Sequence, residues 1–133
     1  MRLLLDTHFV IWLGLDLTRI SPAELALIAS PANSIMVSAV SIWEMRVKWR
    51  KNVKQPGAMP MSPVDAINLC AGAGLQIMPL SGPHCAWHLH PALSLGDPFD
   101  EMLLAHAGAL DARLLTRDAA LSQHPLAFQR SLA

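Results

Sequence analysis

Charge is scarce in this chain of 133 residues: Asp, Glu, Lys and Arg make up only 15% of it, and ten basic residues balance ten acidic ones. A net charge of zero excludes a protein that holds nucleic acid mainly by overall charge. Cysteine is almost missing. Cys70 and Cys85 are too few for a disulfide scaffold of this length, and their apolar neighbours read as small core fillers under reducing conditions. Long apolar runs are missing too: the longest, Phe9 to Leu15, falls far short of the roughly 20 residues that span a bilayer, so no transmembrane helix is expected. Asp6 cuts off the Leu3 to Leu5 stretch before it can serve as a signal-peptide apolar region, which leaves a cytoplasmic chain as the expectation. There is no Gly-rich phosphate loop with a Walker lysine, and Asp6-Thr7-His8 is not the Asp-x-Asp of an aspartyl-phosphate phosphatase.

What the chain has in abundance is apolar surface. Hydrophobic residues reach 53%, and ten Pro and seven Gly are spread rather than clustered, the composition of a single compact domain and not of a disordered segment. The few charges are unevenly placed. Arg46, Lys48, Arg50, Lys51 and Lys54 stand in one stretch without an acid, leaving a matching acidic excess elsewhere. Such a run reads either as the solvated C-terminus of a helix, where cations are favourable, or as a contact for a polyanion.

Local patterns alternate strand and helix. Arg2 to Asp6 reads as a buried parallel strand followed by a helix to Leu15. Ser21, Pro22 and Glu24 form an N-cap, first helical residue and capping-box partner for a second helix ending near Pro31. Ser34 to Ser38 is a second strand, and a helix from about Val40 to Lys51 follows. Lys54 to Pro60 is loop, and Ser62, Pro63 and Asp65 cap a helix to about Ala71. Leu75 to Leu80 is a third strand, Ser81 to Gly96 a short helix or loop broken by Pro83 and Pro91, and Phe99 to Leu110 an amphipathic helix. Arg113 to Thr116 is a fourth strand and Ala119 to Gln123 a last helical turn. Strands separated by helices, with no hairpin signal, predict an α/β fold: a three-layer α/β/α sandwich with a parallel central sheet.

On that layout Asp6 closes the first strand, Glu44 lies soon after the second, Asp97 and Asp100 open the amphipathic helix, and Asp118 follows the fourth strand. Loops at the carboxyl ends of parallel strands share one edge, where ligands bind. Converging carboxylates repel unless some protonate or a cation sits among them. All-oxygen donors suit magnesium or manganese, and such ions promote phosphodiester hydrolysis by water without a nucleophilic Ser or Cys. The same residues also read as helix caps: Asp97 ahead of Pro98, Ser41 with Glu44 as a capping box, and Asp118 ahead of Ala119. Pattern alone leaves both readings open.

The segments Leu3 to Trp12 (LLLDTHFVIW), Val37 to Lys48 (VSAVSIWEMRVK), Asp97 to Ala107 (DPFDEMLLAHA) and Leu114 to Leu121 (LLTRDAAL) resemble, in order and spacing, the successive motifs of PIN-domain ribonucleases of the VapC toxin type. The resemblance implies an acidic quartet of Asp6, Glu44, Asp100 and Asp118 around Mg²⁺ or Mn²⁺, with Asp97 auxiliary, cleaving single-stranded or looped RNA. It further implies hydroxyls at Thr116 and Ser41 that hydrogen-bond a carboxylate or metal-bound water. Two partners come with it: a second copy, forming a homodimer, and an antitoxin whose C-terminal segment crosses the acidic groove with an Arg or Lys. Two positions depart from the family's pattern: Glu101 where an Arg is usual, and Leu95 where a His is frequent, which concerns RNA positioning more than metal binding.

Arg46 and Lys48 are the candidate phosphate contacts of the basic run. His84, His88 and His90 with Cys85 fit no zinc spacing and read as surface or cap residues. His8 either reaches the crevice or faces solvent. Trp12 and Trp43 are expected in the core, and Trp49 among Lys48, Arg50 and Lys51 is the one expected outside. A competing function class keeps the caps without chemistry: an interaction module that binds RNA or a protein through its basic segment. Asn substitutions at the acids separate the two classes, since Asn caps helices about as well as Asp.

Overall fold

The computed structural model describes residues 1–93 and 96–130. Strand β1 (Arg2–Leu5) leads into helix α1 (Thr7–Leu15), a 3₁₀ turn at Leu17–Arg19 and helix α2 (Pro22–Ala29). Strand β2 (Ser34–Ser38) feeds α3 (Ala39–Lys51), which is followed by α4 (Pro63–Ala73) and β3 (Gln76–Met78). The one-turn α5 (Gly82–Cys85), then α6 (Pro98–Ala109), β4 (Arg113–Leu115) and the short α7 (Ala119–Ser122) complete the order. The four strands form one sheet in the order β3-β2-β1-β4, every pair parallel, as expected.

The register explains the layers. Leu5 pairs with Val37 and Leu115, and all three enter a core with Phe9, Val10 and Met45. One residue back, Leu4 pairs with Met36 and Leu114, and these face the other way into a core with Val40, Leu103, Leu104 and Leu121. Period-two alternation in a strand buried on both sides thus fills two cores, one on each face of the sheet. Trp87 lies so close to α6 that a Cβ at Gly108 would overlap its ring, so Gly108 is where the connection before α6 packs down on that helix.

The caps follow local chemistry. Ser21 and Glu24 form the full capping box, Ser62 accepts from the Asp65 amide, and α4 runs two residues past Ala71 to a left-handed Gly74 at φ 70°. Ser41 is not a cap: Ser38 caps α3, accepting from the Val40 amide, and Ser41 is buried inside the helix. That frees the Ser41 hydroxyl for a tertiary contact. Three further expectations are corrected. Cys70 is buried but Cys85 is exposed, because it ends a one-turn helix on the surface. Trp43 is 56% exposed, on the side of α3 that turns away from the sheet, while Trp12 is half-buried. Trp49 is exposed as expected. Leu95 lies outside the described residues.

Candidate active site

β1 lies between β2 and β4, so the carboxyl ends of the three strands open side by side. Asp6 stands directly after β1, and its amide continues the ladder to Leu115 O at 3.0 Å. That fixes the Asp6 backbone at the β1–β4 seam, with its side chain buried but not spent on capping α1. The Thr116 hydroxyl donates to Asp6 Oδ2 at 2.6 Å and accepts from the Asp118 amide at 3.1 Å. One buried hydroxyl therefore sets the positions of two acids.

Across the seam, Glu44 is buried on the second turn of α3. Thr7 Oγ1 donates to Glu44 Oε1 at 2.7 Å and lies 2.9 Å from Ser41 Oγ. Since a hydroxyl has one proton, Thr7 gives it to the carboxylate and accepts from Ser41. Lys48, one turn further along α3, meets Glu44 Oε2 at 2.5 Å. At the mouth, Asp97 caps α6 by accepting from the Phe99 amide at 2.8 Å, and Asp118 caps α7 by accepting from Ala120 at 2.8 Å. Both cap expectations hold. The Asp100 carboxylate, in the first turn of α6, accepts no hydrogen bond among the described residues.

The electrostatics bind these pieces into one cluster. Burial pushes the Asp100 carboxyl up, the charges of Asp97, Asp6, Asp118 and Glu44 push it further, and the result is a pKa of about 6. Asp6 is also pushed up by burial, against the opposing pull of the Thr116 hydroxyl and of His8. Burial disfavours charge on Lys48, but its bond to Glu44 and the charges of Glu44, Asp97 and Asp100 outweigh that and raise its pKa. Lys48 is the cluster's own cation. Arg46 is exposed and lies over Trp43 instead, 5.7 Å from the ring centroid.

Among the described residues, no three His, Cys, Asp or Glu side chains close into a set that could hold a metal. Asp100 stands within Coulombic reach of the other four acids, and Lys48 and His8 offset only part of that charge. The donor set nevertheless fits a hard divalent cation. It is all oxygen, the Asp100 carboxylate has no partner among the described residues, and an added cation would relieve the repulsion that, after burial, helps push Asp100 up to about 6. The histidines form no comparable centre: His88 and His90 stack with centroids 6.2 Å apart, and His84 packs on the buried His106 at 4.8 Å. His8 is exposed and lies against Trp12 in a tilted arrangement with centroids 5.8 Å apart, close enough to Asp6 for its charge to be felt there.

Sequence reasoning did not single out Thr7, which joins Glu44 to Ser41; its place directly after the strand-ending Asp6 was the only signal. Nor did it find the second charged cluster. Glu24 is buried between Arg117 and Arg130, with Arg130 Nη2 at 2.5 Å from Oε2 and Arg117 bonded to both carboxylate oxygens. Arg130 also donates to Thr116 O at 3.1 Å, so this knot braces the segment that holds Asp6 and Asp118.

A crystal structure titled VapBC2 from Rickettsia felis bound to a DNA fragment from their promoter contains a chain of the same fold, with a TM-score of 0.68, 19% identity and 96% of each chain covered. No curated protein matches the chain significantly. The PIN domain family model matches residues 3–125, nearly the whole chain. This chain belongs to the PIN domain family.

Proposed function

We propose that this PIN domain is a Mg²⁺- or Mn²⁺-dependent endoribonuclease that acts in the cytoplasm as the toxin of a toxin–antitoxin pair, its one domain spanning residues 1–133. The observation that carries the reading is the gathering of Asp6, Glu44, Asp97, Asp100 and Asp118 at the carboxyl edge of the sheet, where burial and the charges of the other four push Asp100 up to about 6. A site with that much uncompensated negative charge is built for a cation supplied from outside.

In this reading Asp6, Asp100 and Asp118, with Glu44 and the auxiliary Asp97, hold the ion. When bound, it supplies Lewis-acid polarisation of the phosphodiester and a water activated for attack. The chain's own residues do the positioning. Thr116 fixes Asp6 and Asp118 from one hydroxyl, and Thr7 with Ser41 fixes Glu44. Lys48 offsets Glu44 until substrate or ion arrives and is then free to meet a phosphate. Arg46, exposed on the same helix, is a second phosphate contact.

The partners proposed are RNA, a second copy of this chain and an antitoxin that lays a cationic side chain among the acids. In favour of the last stands the Rickettsia felis neighbour, which is titled as a VapBC2 assembly. The competing interaction module draws support from one observation: Asp97 and Asp118 do cap helices.

Cleavage of a mixed structured RNA by the pure protein with Mg²⁺, Mn²⁺ or EDTA, beside Asp100→Asn, separates the two. The nuclease reading expects metal-dependent cutting that the variant loses. Equal cutting by both, or none by either, removes it.

A further inference from the structure

α3 and α6, the helices that carry Glu44 and the Asp97–Asp100 pair, also enclose an apolar cleft of about 490 Å³. Val40 and Trp43 line it from α3, Leu80 from the segment after β3, and Phe99 and Met102 from α6. Its size lies in the range of small-molecule sites. Trp43 and Glu44 are both carried by α3, and Pro98 and Phe99 of the cleft stand between Asp97 and Asp100 at the start of α6, so the same two helices carry the cleft and these acids. The Trp43 ring is exposed, a large aromatic surface left in water beside a polar site.

We infer that this cleft receives an unstacked nucleobase of a single-stranded RNA, the base next to the phosphodiester held at the carboxylates. The inference rests on the nuclease reading for its substrate class, and on three features of its own. First, a base is tethered one sugar from its phosphate, so a strand with its phosphate at the acids has to send a base toward one of the flanking walls. Second, the wall formed by α3 and α6 is the one with an exposed indole, and aromatic faces hold unpaired bases by stacking with little regard to sequence. Third, the charge is complementary to a nucleic acid strand: Arg46 lies over the Trp43 ring, and Lys48, Arg50 and Lys51 continue along α3, the aromatic-plus-cation layout of single-strand grooves. Paired bases cannot enter such a cleft, so it selects unpaired RNA.

The test uses a short single-stranded RNA, kept uncut by withholding divalent metal, and a counterpart lacking one base at the position beside the cleavage site. Binding is followed by tryptophan fluorescence in EDTA, with Trp43→Leu, Trp43→Phe and the wild type. We expect Trp43→Leu to lose the quenching and to bind about tenfold more weakly, and Trp43→Phe to recover most of the affinity. Removing the base should weaken the wild type by a similar factor and leave Trp43→Leu almost unaffected, since the same contact cannot be lost twice. With cleavable RNA and metal, Trp43→Leu should raise KM far more than it lowers kcat. Wild-type affinity and KM in Trp43→Leu would overturn the pocket while leaving the nuclease intact. If that variant loses only self-association or antitoxin binding, the cleft is a protein-docking face and the proposal is wrong. A wild type that neither cuts the RNA with metal nor binds it in EDTA overturns both readings. Base-dependent binding without cutting supports the pocket and removes the nuclease.

Discussion

Glu24 and the group of five acids around Asp100 meet opposite fates in this molecule. At one, Glu24 would be raised by burial, but Arg117, Arg130 and the Ser21 amide overcome that and hold it at about 2. At the other, burial raises Asp100 and four further acids push it to about 6, with Lys48, bonded to Glu44, and His8, beside Asp6, as internal offsets. Both clusters lie close to Thr116, one at its carbonyl and one at its hydroxyl. The difference separates a carboxylate that serves the fold from those that, in the proposed reading, are kept for an outside cation. A structural acid is given its counter-ions by its own chain, whereas a cation site is left deliberately short of them.

The comparison breaks first at activity. Asp100→Asn or Asp6→Asn should lower metal-dependent RNA cleavage by about 100-fold or more, measured with the far-UV spectrum as a fold control. Glu24→Gln should act in the opposite manner. It leaves Arg117 and Arg130 without their charge partner and should cost about 2–3 kcal/mol of stability in urea, with metal binding still detectable. Its pH signature is distinct. Because the folded pKa is depressed, the Glu24 contribution is present above the unfolded value near 4.5 and is lost as pH falls toward 2. Wild-type stability should fall across that window, and Glu24→Gln should flatten the fall.

Asp100 gives the reverse sign. Its raised pKa means that the folded protein binds the proton more tightly, so a destabilising contribution builds as pH rises from about 4 through 6. Asp100→Asn should therefore stabilise the metal-free protein by about 1–2 kcal/mol at neutral pH and by nothing near pH 4. Divalent metal should erase that gain by stabilising only the wild type. The smallest effect is expected at Asp118→Asn, which keeps its cap to Ala120 and should change metal-free stability by a few tenths of a kcal/mol. Cleavage should still fall.

Much of this was legible in the sequence because the governing chemistry is local. Ser21-Pro22-Glu24, Ser62-Pro63-Asp65 and Asp97-Pro98 name their helices through capping bonds made within three residues. The leucine run of β1 announces a strand buried on both faces. The acids at strand ends were visible for the same reason: parallel topology brings them to one edge. What stayed hidden depends on contacts across the chain. Glu24 meets Arg117 and Arg130 over sequence separations of 93 and 106, and no local pattern predicts that. Ser41 looked like a cap because Glu44 follows at the right spacing, but β2 delivers the chain one turn earlier and Ser38 takes the role. Trp43 was expected inside since large aromatics usually are, and only the packing of α3 on its neighbours shows that its side of the helix faces out.

The central claim is that the acids around Asp100 form a site for a divalent cation, and direct titration of Mn²⁺ into the metal-free protein tests it without depending on the choice of RNA. Wild-type protein at pH 7.5 should bind the ion saturably, bind it much more weakly at pH 5, where Asp100 is protonated, and lose it in Asp100→Asn. Binding that is absent from the wild type, or equal in the variant and unchanged at pH 5, would contradict the account.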